Sequence, residues 1–207
     1  MAHKSSLQGK NIILGLTGSI AAYKGADIAS KLTQMGASVT PVMTDSACKF
    51  LTPLTLESIT GNSAHCSMWQ NTGTINHIRL AEEADMVIIA PATASTIARI
   101  AGGFADDLLS CVVLATGAPV LLAPAMHTAM YENTLTQKNI QQLKKTGFVI
   151  IEPHAGRLAS GGWGTGRLAT IGEIIGTALW TFGQKGDLVG KKIVITAGGT
   201  REPIDPV

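Results

Sequence analysis

Short apolar runs recur along this chain, each about as long as a β-strand and each followed by turn residues. They cover residues 11–16, 38–43, 86–90, 120–123 and 148–151. The runs are nearly continuous rather than alternating, which is typical of strands that are buried on both faces of a sheet. The pattern therefore predicts five buried strands.

Segments with helical periodicity separate these runs. They are residues 20–35, with Ile28, Leu32 and Met35 on one face, residues 134–146 and residues 171–182. Alternating strands and helices predict an α/β protein, in which helices cover both faces of a doubly wound parallel sheet. Because ligands bind beyond the carboxyl ends of the strands in such sheets, we expect the functional residues in the loops that follow the strands.

Four of these loops carry small or polar residues that could meet around one ligand. Their sequences are GLTGSIAAYK (15–24), MTDSACKF (43–50), APATAST (90–96) and APAMHTAM (123–130). Gly18 and Ser19 precede a helix whose N-terminal N–H groups attract anions, and Thr44 and Ser46 supply further donors or caps. The first loop lacks both G-x-G-x-x-G and the Walker lysine. It is compatible with a mononucleotide phosphate site or with an ordinary strand-to-helix turn.

Two histidines are candidates for chemistry. The helical run after His77 is expected to be capped by Asn76 and to bury Ile78, Leu80, Ala81 and Ala84. His77 itself could be a capping or surface residue, or a base near a ligand. His127 follows Pro124 and lies between Met126 and Met130. Helical spacing puts the two methionines on one face, so this loop could line a site or simply pack the core.

A glycine-rich segment, GRLASGGWGTGRLA, occupies residues 156–169 and contains two copies of GRLA. It does not have the strand-to-helix context of a phosphate-binding loop. The segment predicts an Ω-like or hairpin flap with the glycines as hinges.

Composition narrows the class of ligand. The 207 residues are 45% hydrophobic and 14% charged, which predicts a large core. A formal net charge of +2, without any basic run longer than two lysines, argues against a nucleic-acid or anionic-membrane partner. Three cysteines have neither disulfide-framework nor zinc spacing. With no signal peptide or membrane span evident, we expect a cytoplasmic protein that acts on a small molecule without a metal.

The C-terminal residues differ from the rest. A polar, glycine-containing connector follows Phe182 and leads into KKIVITAGGTREPIDPV, another strand-like run that ends in a glycine turn. This arrangement is typical of the first element of a second domain. We expect a domain at 1–183, a linker at 184–190 and the truncated start of a second domain at 191–207, so that the chain is a fragment.

Five segments together resemble the homo-oligomeric flavin-containing cysteine decarboxylases, and most closely the phosphopantothenoylcysteine decarboxylases of bacterial coenzyme A synthesis. They are GSIAAYK (18–24), NHIRLAEEADMVIIAPATAST (76–96), IAGGFADDLLS (100–110), PAMHTAMYEN (124–133) and GRLASGGWGTGRLA (156–169). The tail at 191–207 is similar to the opening of phosphopantothenate–cysteine ligases, which are fused downstream in many bacteria. The resemblance thus implies the decarboxylase half of a bifunctional protein.

The resemblance implies a Rossmann-like (flavodoxin-like) three-layer fold with bound FMN. It also implies a homotrimer, often built into a dodecamer, with each flavin site at a subunit interface. The residues that it places around FMN are Gly18, Ser19, Ile20, Thr44, Ser46, Thr93, Ala94, Ser95, Thr96, Ala125 and Met126.

The implied reaction converts 4′-phosphopantothenoylcysteine to 4′-phosphopantetheine. Oxidised flavin takes a hydride from the cysteine moiety, carbon dioxide leaves, and a flap cysteine helps to protonate the enethiolate before the flavin returns the hydride. His77 falls on the family's active-site histidine, and Ser160 falls on the flap cysteine. The residues implied in substrate binding are His127, Met130, Ala159 and Arg167.

Two positions depart from the family pattern. His127 replaces an asparagine that contacts the substrate carboxylate, and a histidine would donate best when protonated, so binding is expected to depend on pH. Ser160 is a far poorer acid than a thiol. We therefore expect His127, Tyr131 or a water to supply the proton, the alternative being that the enethiol accumulates. None of the cysteines at positions 48, 66 and 111 lies in the flap.

Three other functions stay open at this point. One is an oxidative decarboxylase of a peptide's C-terminal cysteine that stops at the enethiol, which the missing flap cysteine favours and the ligase-like tail opposes. Another is a non-enzymatic regulatory subunit with a flavin fold, which His77 opposes. The third is a flavin prenyltransferase, which the loop at 123–130 and the flap oppose.

Overall fold

The computed structural model describes residues 7–69, 76–184, 190–192 and 194, without the side chain of Asn76. Its central sheet has five strands, all paired in parallel, in the order β2-β1-β3-β4-β5. They are β1 Asn11–Leu16, β2 Ser38–Met43, β3 Met86–Ala92, β4 Val120–Pro124 and β5 Val149–Ile150. This order is the flavodoxin-like one, with the switch point between β1 and β3. The predicted doubly wound parallel sheet is confirmed, with β5 shorter than its apolar run.

Helices form a layer on each face of the sheet. They are α1 Lys24–Gln34, α2 Pro53–Thr60, α3 Asn76–Glu83, α4 Ala94–Ala101, α5 Leu108–Ala115, α6 Thr128–Tyr131, α7 Thr134–Lys145 and α8 Ile171–Gly183. The first, second and eighth cover one face, and the third, fourth, fifth and seventh cover the other. Along β1, Ile12 and Leu14 join the core beneath α1, whereas Ile13 joins the opposite core. Both faces of the strand are therefore buried, which explains its continuous apolar sequence.

The helical predictions are confirmed with local corrections. Residues 20–23 form a 3₁₀ turn before α1 begins, because the Ser19 hydroxyl caps the turn by accepting from the Ala21 N–H. Ile28 and Leu32 are fully buried. In α3, Leu80 and Ala81 are buried as expected, but Ile78 is 40% exposed, so its predicted inward packing is wrong in this single copy.

The glycine-rich segment forms an antiparallel hairpin, as predicted. Its strands are β6 His154–Arg157 and β7 Trp163–Arg167, joined by residues 158–162. Most of the predicted linker and second domain lies outside the described residues. Within the described part of the chain, no helix is both long enough and apolar enough to cross a bilayer.

A buried threonine, which the sequence analysis did not single out, ties the switch point together. Thr17 directly follows β1 and is 1% exposed. Its hydroxyl donates to the Pro91 carbonyl at 2.7 Å and accepts from the Thr93 N–H at 3.0 Å. One side chain therefore fixes the end of β1 against the end of β3.

Replacing Thr17 should destabilise the fold measurably. Thr17→Val keeps the shape but leaves a buried carbonyl and a buried N–H without partners, so we expect the free energy of unfolding to fall by about 1–3 kcal/mol. Thr17→Ser keeps the hydroxyl and should lose less. Urea unfolding of both variants checks this, and equal stability of Thr17→Val and wild type would contradict it.

Candidate functional site

Two adjoining cavities lie at the carboxyl edge of the sheet. The strand-end cavity, about 380 Å³, is lined by Gly18, Ser19, Thr44, Ser46, Thr93, Ala94, Ser95, Thr96, Arg99, Asp107, Ala125, Met126 and Met130. The flap cavity, about 610 Å³, is lined by Ser19, Ile20, Ala21, Tyr23, Lys24, Ala125, Met126, His127, Arg157, Leu158, Ala159, Ser160, Gly166, Arg167 and Leu168. Ser19, Ala125 and Met126 line both cavities, so a ligand in one would face a ligand in the other.

Close contact between two loops forms the wall of the strand-end cavity. A Cβ on Gly18 would overlap the Cβ of Ser46, so only glycine lets the loop after β1 approach the loop after β2. The Thr44 N–H donates to the Leu16 carbonyl at 3.0 Å and holds the second loop in place. The two loops thereby bring their hydroxyl groups to one side of the cavity.

The N-terminus of α4 closes the opposite side. Thr93 caps this helix by accepting from the Thr96 N–H, and the two hydroxyls are 3.1 Å apart. Arg99 also lines the cavity, but its guanidinium contacts Asp106 at 3.4 Å and Asp107 at 3.1 Å. Its charge is thus already matched by carboxylates, and hydroxyl and N–H groups are the free donors. The hydroxyl and N–H donors of the strand-end cavity suit a polyol or a phosphate, and the side chain of Met126 suits an apolar ring.

His127 contributes one ring nitrogen to the protein and leaves the other available. Its Nδ1 accepts from the Ala129 N–H at 3.3 Å and so caps α6. A neutral imidazole that accepts at Nδ1 carries its proton on Nε2 and can donate there without a charge. The expectation that substrate binding at His127 depends on pH stays a prediction.

The flap is held against the loop that carries His127. The Met126 N–H donates to the Gly166 carbonyl at 2.9 Å. A Cβ on Gly166 would overlap the Met126 carbonyl oxygen, and one on Gly164 would overlap the Thr128 side chain. These two glycines serve close packing rather than a hinge. Gly161, with a φ of +88°, and Gly162 lie at the open tip of the hairpin.

The residues predicted for one ligand are largely brought together. The predicted FMN residues line the strand-end cavity, except Ile20, which lines the flap cavity, and Met130 joins them although it was assigned to the substrate. His127, Ala159, Ser160 and Arg167 line the flap cavity. The sequence analysis missed Lys24, Arg99, Asp107 and Arg157, although Lys24 and Arg157 belong to the GSIAAYK and GRLA segments that it quoted.

Two predicted residues, His77 and Tyr131, and the tryptophan of the flap lie apart from these cavities. His77 lies in the first turn of α3 and lines neither cavity. Trp163, on β7, is 80% exposed and lines neither cavity. The Tyr131 hydroxyl donates to the Glu152 carboxylate at 2.6 Å, which makes Tyr131 a poor candidate for delivering a proton to the flap cavity.

A flavodoxin-like sheet with a hydroxyl-lined cavity at its switch point is the architecture of a mononucleotide-binding protein. The family model described as flavoprotein matches residues 1–181, and the chain belongs to this family. It is 46% identical over 204 residues to the coenzyme A biosynthesis bifunctional protein CoaBC of Vibrio cholerae, covering 98% of this chain and 51% of that protein. The chain therefore spans about half the length of this curated relative.

Two solved structures are similar over most of the chain. One is a cysteine-to-serine variant of PPC decarboxylase complexed with pantothenoylaminoethenethiol, with 33% identity and a TM-score of 0.77, covering 84% of this chain and 98% of that one. The other is the FMN-binding protein AtHal3, with 32% identity and a TM-score of 0.76, covering 86% of this chain and 99% of that one.

Gly166→Ala should loosen the flap. The new Cβ meets the Met126 carbonyl at a φ of +144°, so we expect a loss of about 2 kcal/mol or more, or local displacement of β7 with faster tryptic cleavage at Arg157 and Arg167. Gly162→Ala is the matched control, because the nearest atom to its Cβ is the Ser160 hydroxyl at 3.9 Å. Equal stability and equal proteolysis of the two variants would refute the packing role.

The hydroxyl of Tyr131 should ionise at a higher pH than that of an ordinary tyrosine. Burial, followed by the bond to Glu152 and its negative charge, raises the pKa of Tyr131 to about 12. The contact therefore stabilises the fold below the ordinary tyrosine pKa and is lost as pH rises through about 12. In an alkaline absorbance titration the component near pH 12 should vanish in Tyr131→Phe and persist in Tyr23→Phe. The reverse result would show that the hydroxyl is not held by Glu152.

Proposed function

We propose that this chain is the decarboxylase half of a bifunctional coenzyme A biosynthesis protein. It would use FMN to convert 4′-phosphopantothenoylcysteine to 4′-phosphopantetheine, as a carboxy-lyase. The observation that carries this proposal is the wall shared by the two cavities at Ser19, Ala125 and Met126. A redox cofactor in the strand-end cavity would there meet a substrate held under the flap. The identity to CoaBC and to PPC decarboxylase supports the same assignment.

The strand-end cavity suits FMN. Hydroxyl and backbone N–H donors from three loops fit the phosphate and ribityl chain, and the side chains of Met126 and Met130 fit the edge of an apolar ring. Because Gly18 has no side chain, the loop after β1 can contact Ser46, and both residues line the cavity. When bound, FMN supplies the reversible two-electron oxidation that makes the carboxylate easy to lose.

The flap cavity would hold the substrate. His127 Nε2–H would donate to the carboxylate that is to be lost, while Ala159 and Arg167 complete the surroundings. Met130 lines the strand-end cavity instead. Ser160 lines the same cavity from the flap tip, but its hydroxyl is a weak acid. Proton delivery to the enethiolate would then fall to His127 Nε2–H or to a water, rather than to Ser160 or Tyr131.

We propose that His77 acts from a neighbouring copy in a homotrimer, which can be built into a dodecamer. It lies at the N-terminus of α3, toward the same edge of the sheet as the cavities, yet it lines neither of them. Its neighbour Ile78 is 40% exposed. Phe104, between α4 and α5, and Leu114, on the helix α5 that contacts α3, are 61% and 63% exposed. An oligomer would cover this apolar surface and bring His77 to the flavin of the next subunit.

The rest of the longer protein would be a ligase. The chain covers 51% of CoaBC from Vibrio cholerae. We propose that residues 1–183 form the decarboxylase domain, 184–190 the linker and 191–207 the start of a phosphopantothenate–cysteine ligase domain. A cytoplasmic location fits the reduced cysteines and the small-molecule substrate.

One other function is favoured by a particular residue. Ser160 stands where a thiol is expected, so the reaction could end at an enethiol, as in an oxidative decarboxylase of a peptidyl C-terminal cysteine. A cysteine-to-serine variant of PPC decarboxylase is complexed with an ethenethiol, pantothenoylaminoethenethiol. The coverage of half of CoaBC favours the complete reaction instead.

The mass of the product decides between the complete decarboxylase reaction and the enethiol-forming reaction. FMN-loaded protein is incubated with 4′-phosphopantothenoylcysteine without oxygen, and we expect the product to have lost carbon dioxide alone while the flavin is oxidised at the end. Loss of carbon dioxide and two hydrogens, with the flavin left reduced, would identify the enethiol-forming function. Ser160→Cys is the matched variant and should complete the reaction faster. A colourless protein that cannot be reconstituted with FMN would overturn the proposal.

A further inference from the structure

Three cationic side chains from three different elements converge on the flap cavity. Lys24 is the first residue of α1, Arg157 lies on β6 and Arg167 lies on β7. None of them lines the strand-end cavity. They therefore face whatever occupies the flap cavity and not the proposed cofactor site.

Within the described part of the chain, these three cations have no anionic partners. Among residues 7–69 and 76–184, no carboxylate forms an ion pair with Lys24, Arg157 or Arg167. Arg99 differs, since it contacts two carboxylates in the neighbouring cavity. The basic charge under the flap is thus left for a ligand, whereas the basic charge beside the strand-end cavity is already neutralised.

The cations also lie close enough to oppose one another. Burial, and then the positive charge of Arg167, lowers the pKa of Lys24. The Arg167 guanidinium lies 3.3 Å from the position of a Cβ on Gly156, so the missing side chain leaves room for it across the hairpin. Holding like charges together is unfavourable, and an anion between them would offset the cost.

The number and type of cations indicate the anion. One carboxylate is matched by a single guanidinium fork, whereas two arginines and a lysine match the oxygens and double charge of a phosphate monoester. The substrate carboxylate already has His127 Nε2 as its donor in the proposed function. The phosphate at the other end of the substrate is left without a partner there.

We propose that Lys24, Arg157 and Arg167 form a phosphate subsite that selects phosphorylated over unphosphorylated substrate. This inference rests on the proposed function. Because two of the three cations belong to the hairpin, phosphate binding would also hold the flap over the cavity. The substrate would then be fixed at both ends, by its phosphate under the flap and by its carboxylate at His127.

The test compares two substrates that differ only in the phosphate. With FMN-loaded protein, kcat/KM should be about 10- to 100-fold higher for 4′-phosphopantothenoylcysteine than for pantothenoylcysteine. Arg157→Met, Arg167→Met and Lys24→Met should each bring this ratio toward one, and Arg157→Lys should restore part of it. Lys31→Met is the matched control, because Lys31 is an exposed cation farther along α1 that lines neither cavity, and its ratio should stay at the wild-type value. Flavin absorbance and the melting temperature check that each variant is folded.

Calorimetric binding of 4′-phosphopantothenate and pantothenate gives a readout that needs no decarboxylation. The phosphorylated ligand should bind more tightly, and the arginine variants should lose that advantage. If neither substrate were decarboxylated, the proposed function would fail and this difference in affinity would still decide the subsite. Equal affinities, or variants that lose activity equally on both substrates, would overturn the subsite even if decarboxylation proceeds.

Discussion

The pairing of β1 with both β2 and β3 is the constraint on which both cavities depend. At this switch point the loops after neighbouring strands diverge to opposite sides of the sheet and leave a crevice at its carboxyl edge. Thr17 fixes the shape of this crevice, because its buried hydroxyl donates to the Pro91 carbonyl and accepts from the Thr93 N–H. The hydroxyl-lined cavity then follows from the capped turns at Ser19 and Thr93.

Close contacts of two glycines position the hairpin that lines the flap cavity. The hairpin reaches the loop after β4 because Gly164 and Gly166 leave no side chain between the two backbones. The backbone hydrogen bond between Met126 and Gly166 fixes the base of the flap. At the tip, a Cβ added to Gly161 would have no atom within 4 Å. Residues that line the cavity from the hairpin, including Ser160 and both arginines, are thereby placed opposite His127.

Charge is distributed differently in the two cavities. Around the strand-end cavity Arg99 is matched by Asp106 and Asp107, so binding there relies on hydroxyls and backbone N–H groups. Under the flap the cations have no carboxylate partners among the described residues. Such a division fits two ligands, one with a phosphate cradled by neutral donors and one with a phosphate recognised by side-chain charge.

The local sequence determined the strands, the hairpin, the loops that meet at the sheet edge and the helices at 24–34, 134–145 and 171–183. This was possible because burial on two faces and helical periodicity both leave a pattern of apolar residues in the sequence itself. Motifs indicated the flavoprotein family. Only the tertiary structure decided that Tyr131 is held by Glu152, that His127 uses Nδ1 as a cap, that His77 lies apart from both cavities and that Lys24 joins Arg157 and Arg167. These relations join residues far apart in the chain, and periodicity carries no information about which distant side chains will meet.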